Sequence, residues 1–415
     1  MKGSRRRFIA QIAAATLAPR WLGAKESFTN TNTVTDTWKG DWAELRQEFL
    51  IPEDEAYFNA ATLGAQPRLV LATVLGHMQH VERDLAHWEY KPEHEQFYSG
   101  YYPELSVREK IAAFVNADVA EIALTENATS GMNIVANGID LVAGDEIVVL
   151  DKGHSGARKG WELKARRTGA VLREIRMPDR HSTDDELIDL YERATNASTR
   201  VWVIEHITSA AAIRFPVDKL CARARARGVF SIVDGAQSCG HVPVDVHAMQ
   251  CDAFYTSASK WLMAPRGISF LYIAAAAQPR LWTTLASDHW DDEKNGAFRF
   301  MQRGSTNGSL VRGLEAAFDF YNSLGRVRVQ DRIMELATRF RTGLEECPRA
   351  RSISPPSTGT TTFDVHGYTG MQLQDVLWER ARIRVRRQGD AVRLCCHIWN
   401  SDEEVDRAVE VLRTV

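Results

Sequence analysis

Seven short apolar runs constrain this chain more than any other feature. They are EIALT (121–125), EIVVL (146–150), AVLREI (170–175), RVWVIE (200–205), VFSIVD (229–234), DAFYTS (252–257) and ISFLYI (268–273). Helix-length segments separate them. A run of apolar residues with no polar alternation suits a strand buried on both faces, the condition of a parallel sheet covered by helices. The succession therefore predicts βαβ units and an α/β fold with a mostly parallel, seven-stranded sheet. In such sheets the functional side chains gather beyond the carboxyl ends of the strands.

The pattern changes after about residue 325. VQDRIMELATRFRTGLEEC (329–347) reads as a long helix, and short strands are expected at 361–365, 382–387 and 391–396. SDEEVDRAVEVLRTV (401–415) opens as a capping box, with Ser401 at the N-cap and Glu404 three residues on, and Val405, Val409 and Leu412 share one helical face. The expected organisation is a large domain over 51–325, including an N-terminal arm, and a small C-terminal α+β domain over 326–415. A polar, Thr/Asn-rich linker over 25–50 precedes them.

The first 24 residues have another character. They hold five basic residues and no acidic one, with SRRRFIA (4–10) running into the small-residue apolar stretch IAQIAAATLAP (9–19). That stretch has the length of a signal h-region and is short for a bilayer span. Ser4, Arg5, Arg6, Phe8 and Ile9 resemble the twin-arginine export signal, which implies handling by the twin-arginine translocation machinery and a periplasmic or otherwise exported protein. No stable membrane anchor is expected. The formal charge of −3 gives no reason to expect nucleic acid as a partner. Six cysteines without CxxC spacing argue against a zinc or redox motif, so no metal is expected and the thiols read as structural.

The chemistry lies at the strand ends. Asp234 closes VFSIVD, and a buried carboxylate is costly unless a cation meets it. Lys260 follows DAFYTS in a Ser-rich loop, where an amine held partly away from water has a lowered pKa and attacks a carbonyl. Asp-x-Ala-Gln (234–237), then Ser-x-x-Lys-Trp (257–261) with Pro-x-Gly beyond (265–267), resembles the class V aminotransferase family of fold-type I pyridoxal-phosphate enzymes. Cysteine desulfurases and isopenicillin N epimerases belong to it. The likeness spans most of residues 50–415.

The resemblance implies pyridoxal 5′-phosphate as cofactor, Lys260 as its Schiff-base lysine and Asp234 as the partner of its pyridinium nitrogen. A carboxylate about 4 Å from that charge supplies roughly 4 kcal/mol at an effective dielectric near 20. That is about three pKa units, enough to keep the ring protonated at neutral pH. By the same resemblance Gln237 donates to the ring's phenolic oxygen, Ser209 contacts that oxygen from the loop after RVWVIE, and Ser257 binds the phosphate. TENATSGMNIVANGI (125–139) passes from strand to helix, and free N–H groups at a helix start favour phosphate. This puts Ala128, through its backbone, and Thr129 in the cofactor site, with an N-cap role open to Thr129 as well. His154 matches the histidine that stacks on the ring and shuttles protons. The family often has histidine before the lysine, where this chain has Ser259.

Ser305, in QRGSTN (302–307), matches the segment that reaches the phosphate in a neighbouring subunit, which implies a homodimer. AVRLCCHIWNSDEEVD (391–406) places Arg393 where the family clamps the substrate α-carboxylate bidentately. Asn59, in YFNAATLGAQP (57–67), matches a segment lining the substrate pocket.

Persulfide-forming desulfurases need a nucleophilic cysteine shortly before that arginine. RIRVRRQGDAVR (382–393) has none, and Cys395 and Cys396 come after it. HITSAAAIRFPVD (206–218) and CCHIWNSDEE (395–404) resemble the isopenicillin N epimerase-like branch. The expected activity is aminotransferase or epimerase chemistry at the α-carbon of an amino acid or amino-acid-bearing metabolite, with Lys260 as general acid and base. The alternatives are a lyase acting on a cysteine derivative, and a non-catalytic exported binding protein that retains the fold.

Overall fold

The computed structural model describes residues 40–83, 85, 104–288 and 290–415. The export-like leader lies outside them. Among the described residues no helix is long and apolar enough to cross a membrane.

Each of the seven apolar runs contributes one strand of a single sheet. In chain order after β1 (Ala56–Tyr57) they are β2 (Ile122–Thr125), β3 (Glu146–Leu150), β4 (Val171–Ile175), β5 (Thr199–Glu205), β6 (Phe230–Asp234), β7 (Ala253–Tyr255) and β8 (Ser269–Ile273). Their order across the sheet is β2-β8-β7-β6-β5-β3-β4. Neighbours from β7 through β4 are parallel, whereas β8 runs antiparallel to both β7 and β2. All side chains of β3, β6, β7 and β8 are buried, as the unbroken apolar runs require. β4 is mostly accessible, because it is an edge strand.

The chain turns at Gly325, between helices Gly308–Leu324 and Arg326–Glu345. Beyond it lie β9 (Ala350–Ser352), β10 (Thr360–Val365), β11 (Ile383–Arg384), β12 (Arg386–Gln388) and β13 (Ala391–Cys395). Four of them form the antiparallel sheet β12-β13-β10-β9. The expected strand at 382–387 is split: β11 leaves this sheet and pairs in parallel with β1. Ala56 and Phe58 accordingly pack in the C-terminal core with Leu336, Phe340, Phe363 and Leu394, so the N-terminal arm completes the second core. Helix Asp402–Arg413 begins with the expected capping box of Ser401 and Glu404.

Candidate active site

β6 ends at Asp234, whose side chain is buried and whose Oδ1 accepts the Ala236 N–H at 2.9 Å. Burial raises its pKa; that N–H and the charges of Lys260 and His154 act against the shift. Gly235 follows because a Cβ there would fall 2.0 Å from the Phe254 ring of the neighbouring strand. Lys260 lies in the turn between β7 and β8. Burial lowers its amine to about 8; Asp234 opposes the shift and Arg393 adds to it. The amine is thus neutral in a useful fraction at physiological pH, as a nucleophile or general base requires.

The phosphate end was expected at the start of the helix after β2, and the residues meet there. Helix Ala128–Gly138 is N-capped by Asn127, whose side chain accepts from Ser130 N, so Thr129 is not the cap. The Ala128 N–H donates to Ser257 Oγ at 3.2 Å, joining two residues placed on the phosphate from separate motifs. Thr129 is exposed, and its hydroxyl would lie 3.4 Å from a Cβ on Gly156, close to the His154 ring.

His154 stands at the N-cap of the helix after β3 and is exposed. Partial desolvation, followed by the positive charge of Lys260, lowers its pKa, so its imidazole is neutral near pH 7. The Gln237 side chain is tied into the protein: its Nε2 donates to Ala61 O at 3.0 Å and its Oε1 accepts Trp261 Nε1 at 2.9 Å. One amide hydrogen remains for another acceptor.

Arg393 is buried on β13 without a carboxylate partner among its hydrogen bonds. Nη1 donates to Ser209 O at 2.5 Å, and Nη2 donates to Thr62 Oγ1 at 2.8 Å and Asn59 Oδ1 at 3.4 Å. Its Nε is buried with no acceptor among the described residues. A guanidinium set among neutral oxygens is built to receive an anion. Ser209 meets Arg393 through its backbone carbonyl, a contact that a reading of side-chain hydroxyls does not anticipate. Ser305 lies in an exposed turn before helix Gly308–Leu324.

Two residues escaped the sequence reading. Thr62 sits one turn past Asn59, in a stretch with no periodic signal. Glu205 ends β5 as Asp234 ends β6, and that repeated ending was the signal available. The sequence also offers two basic residues, Arg158 and Arg214, for reading a substrate side-chain carboxylate. Arg158 pairs with Glu162 and Glu174 and donates to Asp151 O, and Arg214 is exposed.

Residues 57–409 match the aminotransferase class-V family model. The chain belongs to that family. An isopenicillin N epimerase of Amycolatopsis lactamdurans is 30% identical over 403 residues, covering 90% of this chain and 98% of the relative. A probable cysteine desulfurase of Synechocystis is 27% identical over 406 residues, covering 89% and 94%. Among solved structures, a C-DES mutant with glycine covalently linked to the pyridoxal-phosphate cofactor superposes with a TM-score of 0.79 at 22% identity, covering 89% and 98%.

This class V chain therefore has the fold-type I architecture and takes pyridoxal phosphate. Its own residues fit that group: a buried carboxylate at Asp234 for a cationic ring nitrogen, a depressed amine at Lys260, and a helix start with the Ser257 hydroxyl for a phosphate.

Proposed function

We propose that this protein is an exported enzyme acting at the α-carbon of an amino acid or amino-acid-bearing metabolite, by epimerase or aminotransferase chemistry. The observation that carries the reading is Arg393, a buried guanidinium with neutral partners on the strand facing the Lys260 loop. It binds the substrate carboxylate in two-pronged fashion and so fixes which face of the α-carbon Lys260 meets. The bound cofactor supplies an electron sink for the carbanion. Lys260 Nζ takes the α-proton from that face, a role suited to an amine whose pKa is about 8. His154, neutral and beside the lysine, holds the ring from one side. Asp234 keeps the ring nitrogen protonated, and Gln237, Ser209 and the Ala128–Ser257 pair hold the remaining polar edges.

The hairpin between β12 and β13 supports this chemistry over a persulfide route. Gln388 pairs with Ala391, so only Gly389 and Asp390 form the turn, and no cysteine-bearing loop precedes Arg393. The Ser4–Ile9 motif supports export, and the Ser305 segment supports a dimer that completes each site from two chains.

The test is deuterium exchange at the α-carbon, followed by NMR, for a panel of free and peptide-linked amino acids with the purified holoenzyme. Exchange that vanishes in Lys260→Ala, accompanied by racemisation or by keto acid, is expected. Sulfide release from cysteine or cystine without either product would overturn the reading in favour of a lyase or desulfurase. A wild type that stays colourless with added pyridoxal phosphate would make it a binding protein.

A further inference from the structure

RVWVIE and VFSIVD both end in a carboxylate, and the fold sets the two endings side by side. β5 and β6 are parallel neighbours with Glu205 opposite Asp234, so both side chains leave the sheet on one face, about 4.8 Å apart at the backbone. Both are buried. The Glu205 carboxyl reaches behind the site to backbone groups of two loops. Its Oε1 accepts the His154 N–H at 2.9 Å, and the Ser209 N–H also acts on it. Gly153 fits so closely that a Cβ there would stand 2.3 Å from Oε1. Ser209 in turn grips Arg393 through its carbonyl. One carboxyl group thus touches the ring-facing histidine's backbone and the loop that braces the substrate arginine, while flanking Asp234.

We propose that Glu205 is a positioning residue of this active site: it anchors the backbone of His154 and Ser209 and, from beside Asp234, tunes the negative charge that the cofactor-bearing lysine meets. The groups facing it are Asp234 on β6, the Tyr255 hydroxyl on β7, Lys260 beyond β7, His154 beyond β3, and the Tyr191 hydroxyl from helix Asp184–Ala194. Lys260 is the cation that opposes the two carboxyls, and one amine does not sustain two buried carboxylates. Burial and Asp234 push Glu205 up to about 8. Asp234 therefore keeps the charge at neutral pH, and Glu205 adds a second one as pH rises past about 8.

The test uses pyridoxal-phosphate-loaded wild type, Glu205→Gln and Glu205→Asp. The readouts are the pH midpoint of the cofactor's visible band and its visible circular dichroism. The proposal rests on Lys260 carrying the cofactor, which the wild-type band reports by itself. Above about pH 8 Glu205→Gln lacks the anion that the wild type sets near the cationic lysine linkage, so the alkaline limb of its titration is displaced and its midpoint is expected to fall by roughly one pH unit. Glu205→Asp keeps the charge but withdraws it from the His154 N–H. Its midpoint should stay nearer wild type while its circular dichroism weakens. A folded, fully loaded Glu205→Gln with the wild-type midpoint would overturn the charge role. If Glu205→Gln does not fold, wild-type circular dichroism in Glu205→Asp would overturn the anchoring role. A lowered melting temperature with both optical signals unchanged would reduce Glu205 to a packing residue.

Discussion

The Gly64 N–H donates to the Ser259 carbonyl at 2.8 Å, so the N-terminal arm is bonded to the residue preceding Lys260. A Cβ on Gly64 would stand 1.9 Å from the Lys260 carbonyl oxygen and 2.7 Å from that of Ser259. Both obstacles are backbone, which cannot rotate away. Gly64→Ala is expected to cost about 1–3 kcal/mol, as overpacking does, and to displace the lysine loop. Thermal unfolding of the loaded protein, with the visible band as a second probe, checks this. A wild-type melting point and band would show that the arm does not dock against the lysine.

Arg393→Lys should separate binding from cofactor chemistry. Lysine keeps the charge but cannot place two parallel N–H groups on a carboxylate. A charge-assisted hydrogen bond is worth about 1.5–3 kcal/mol, so KM should rise roughly 10- to 150-fold. The visible band should persist, since Arg393 contacts Ser209, Thr62 and Asn59 and lies on a different strand from Asp234. Steady-state kinetics on any amino acid that shows α-proton exchange measures it, and an unchanged KM would remove Arg393 from the substrate site.

The strand ends were legible because burial leaves a strong mark in sequence. A carboxylate closing an apolar run is conspicuous, as at Asp234, and the runs mark the number of strands, but the strand order and the reversal of β8 depend on tertiary pairing that the runs do not encode. The same mark stood at Glu205, but without the register of β5 against β6 nothing in the letters said that the two endings are neighbours. Contacts made by backbone are the least visible. The grip of the Ser209 carbonyl on Arg393 and the seat of Ala56 and Phe58 in the C-terminal core depend on tertiary approach, not on local pattern. Asn127 took the cap of helix Ala128–Gly138 because Asn and Thr lie two residues apart and both cap well.

Stability should fall in acid. Burial holds His206, His241 and His397 at about 3, below the ordinary value of 6.5. His241 stacks on Trp261 at 3.5 Å, and His397 stacks on Trp399 at 3.9 Å, so their neutral rings are part of the packing. The unfolded chain takes up these three protons below pH 6.5 and the folded chain refuses them. Their contribution is therefore complete above about pH 6.5 and is lost as pH drops toward 3, with a slope of up to ~4 kcal/mol per pH unit. Glu205 and Asp234 act in the opposite sense, since their raised pKa values let the folded chain keep protons that the unfolded chain releases. The histidines outnumber them below pH 6.5. Denaturant midpoints measured from pH 7.5 down to 4.5 should decline, and a flat profile would contradict neutral burial of the three rings.

Cys395→Ser decides whether sulfur takes part in the reaction. Cys395 is two residues past Arg393 on β13, so the two share a face, and its charge would be felt at Lys260. Yet the residue is fully buried, and its sulfur accepts the Thr360 hydroxyl at 3.6 Å. A persulfide route requires a thiolate that travels to the substrate sulfur and then out to an acceptor, whereas the Cys395 side chain is packed inside a strand pair. Serine preserves the shape and the contact with Thr360, so α-proton exchange in Cys395→Ser should remain within a few-fold of wild type, for a folding cost of roughly 1 kcal/mol. Wild-type sulfide release from cysteine that disappears in this variant would instead make Cys395 the nucleophile and place the chain with the desulfurases.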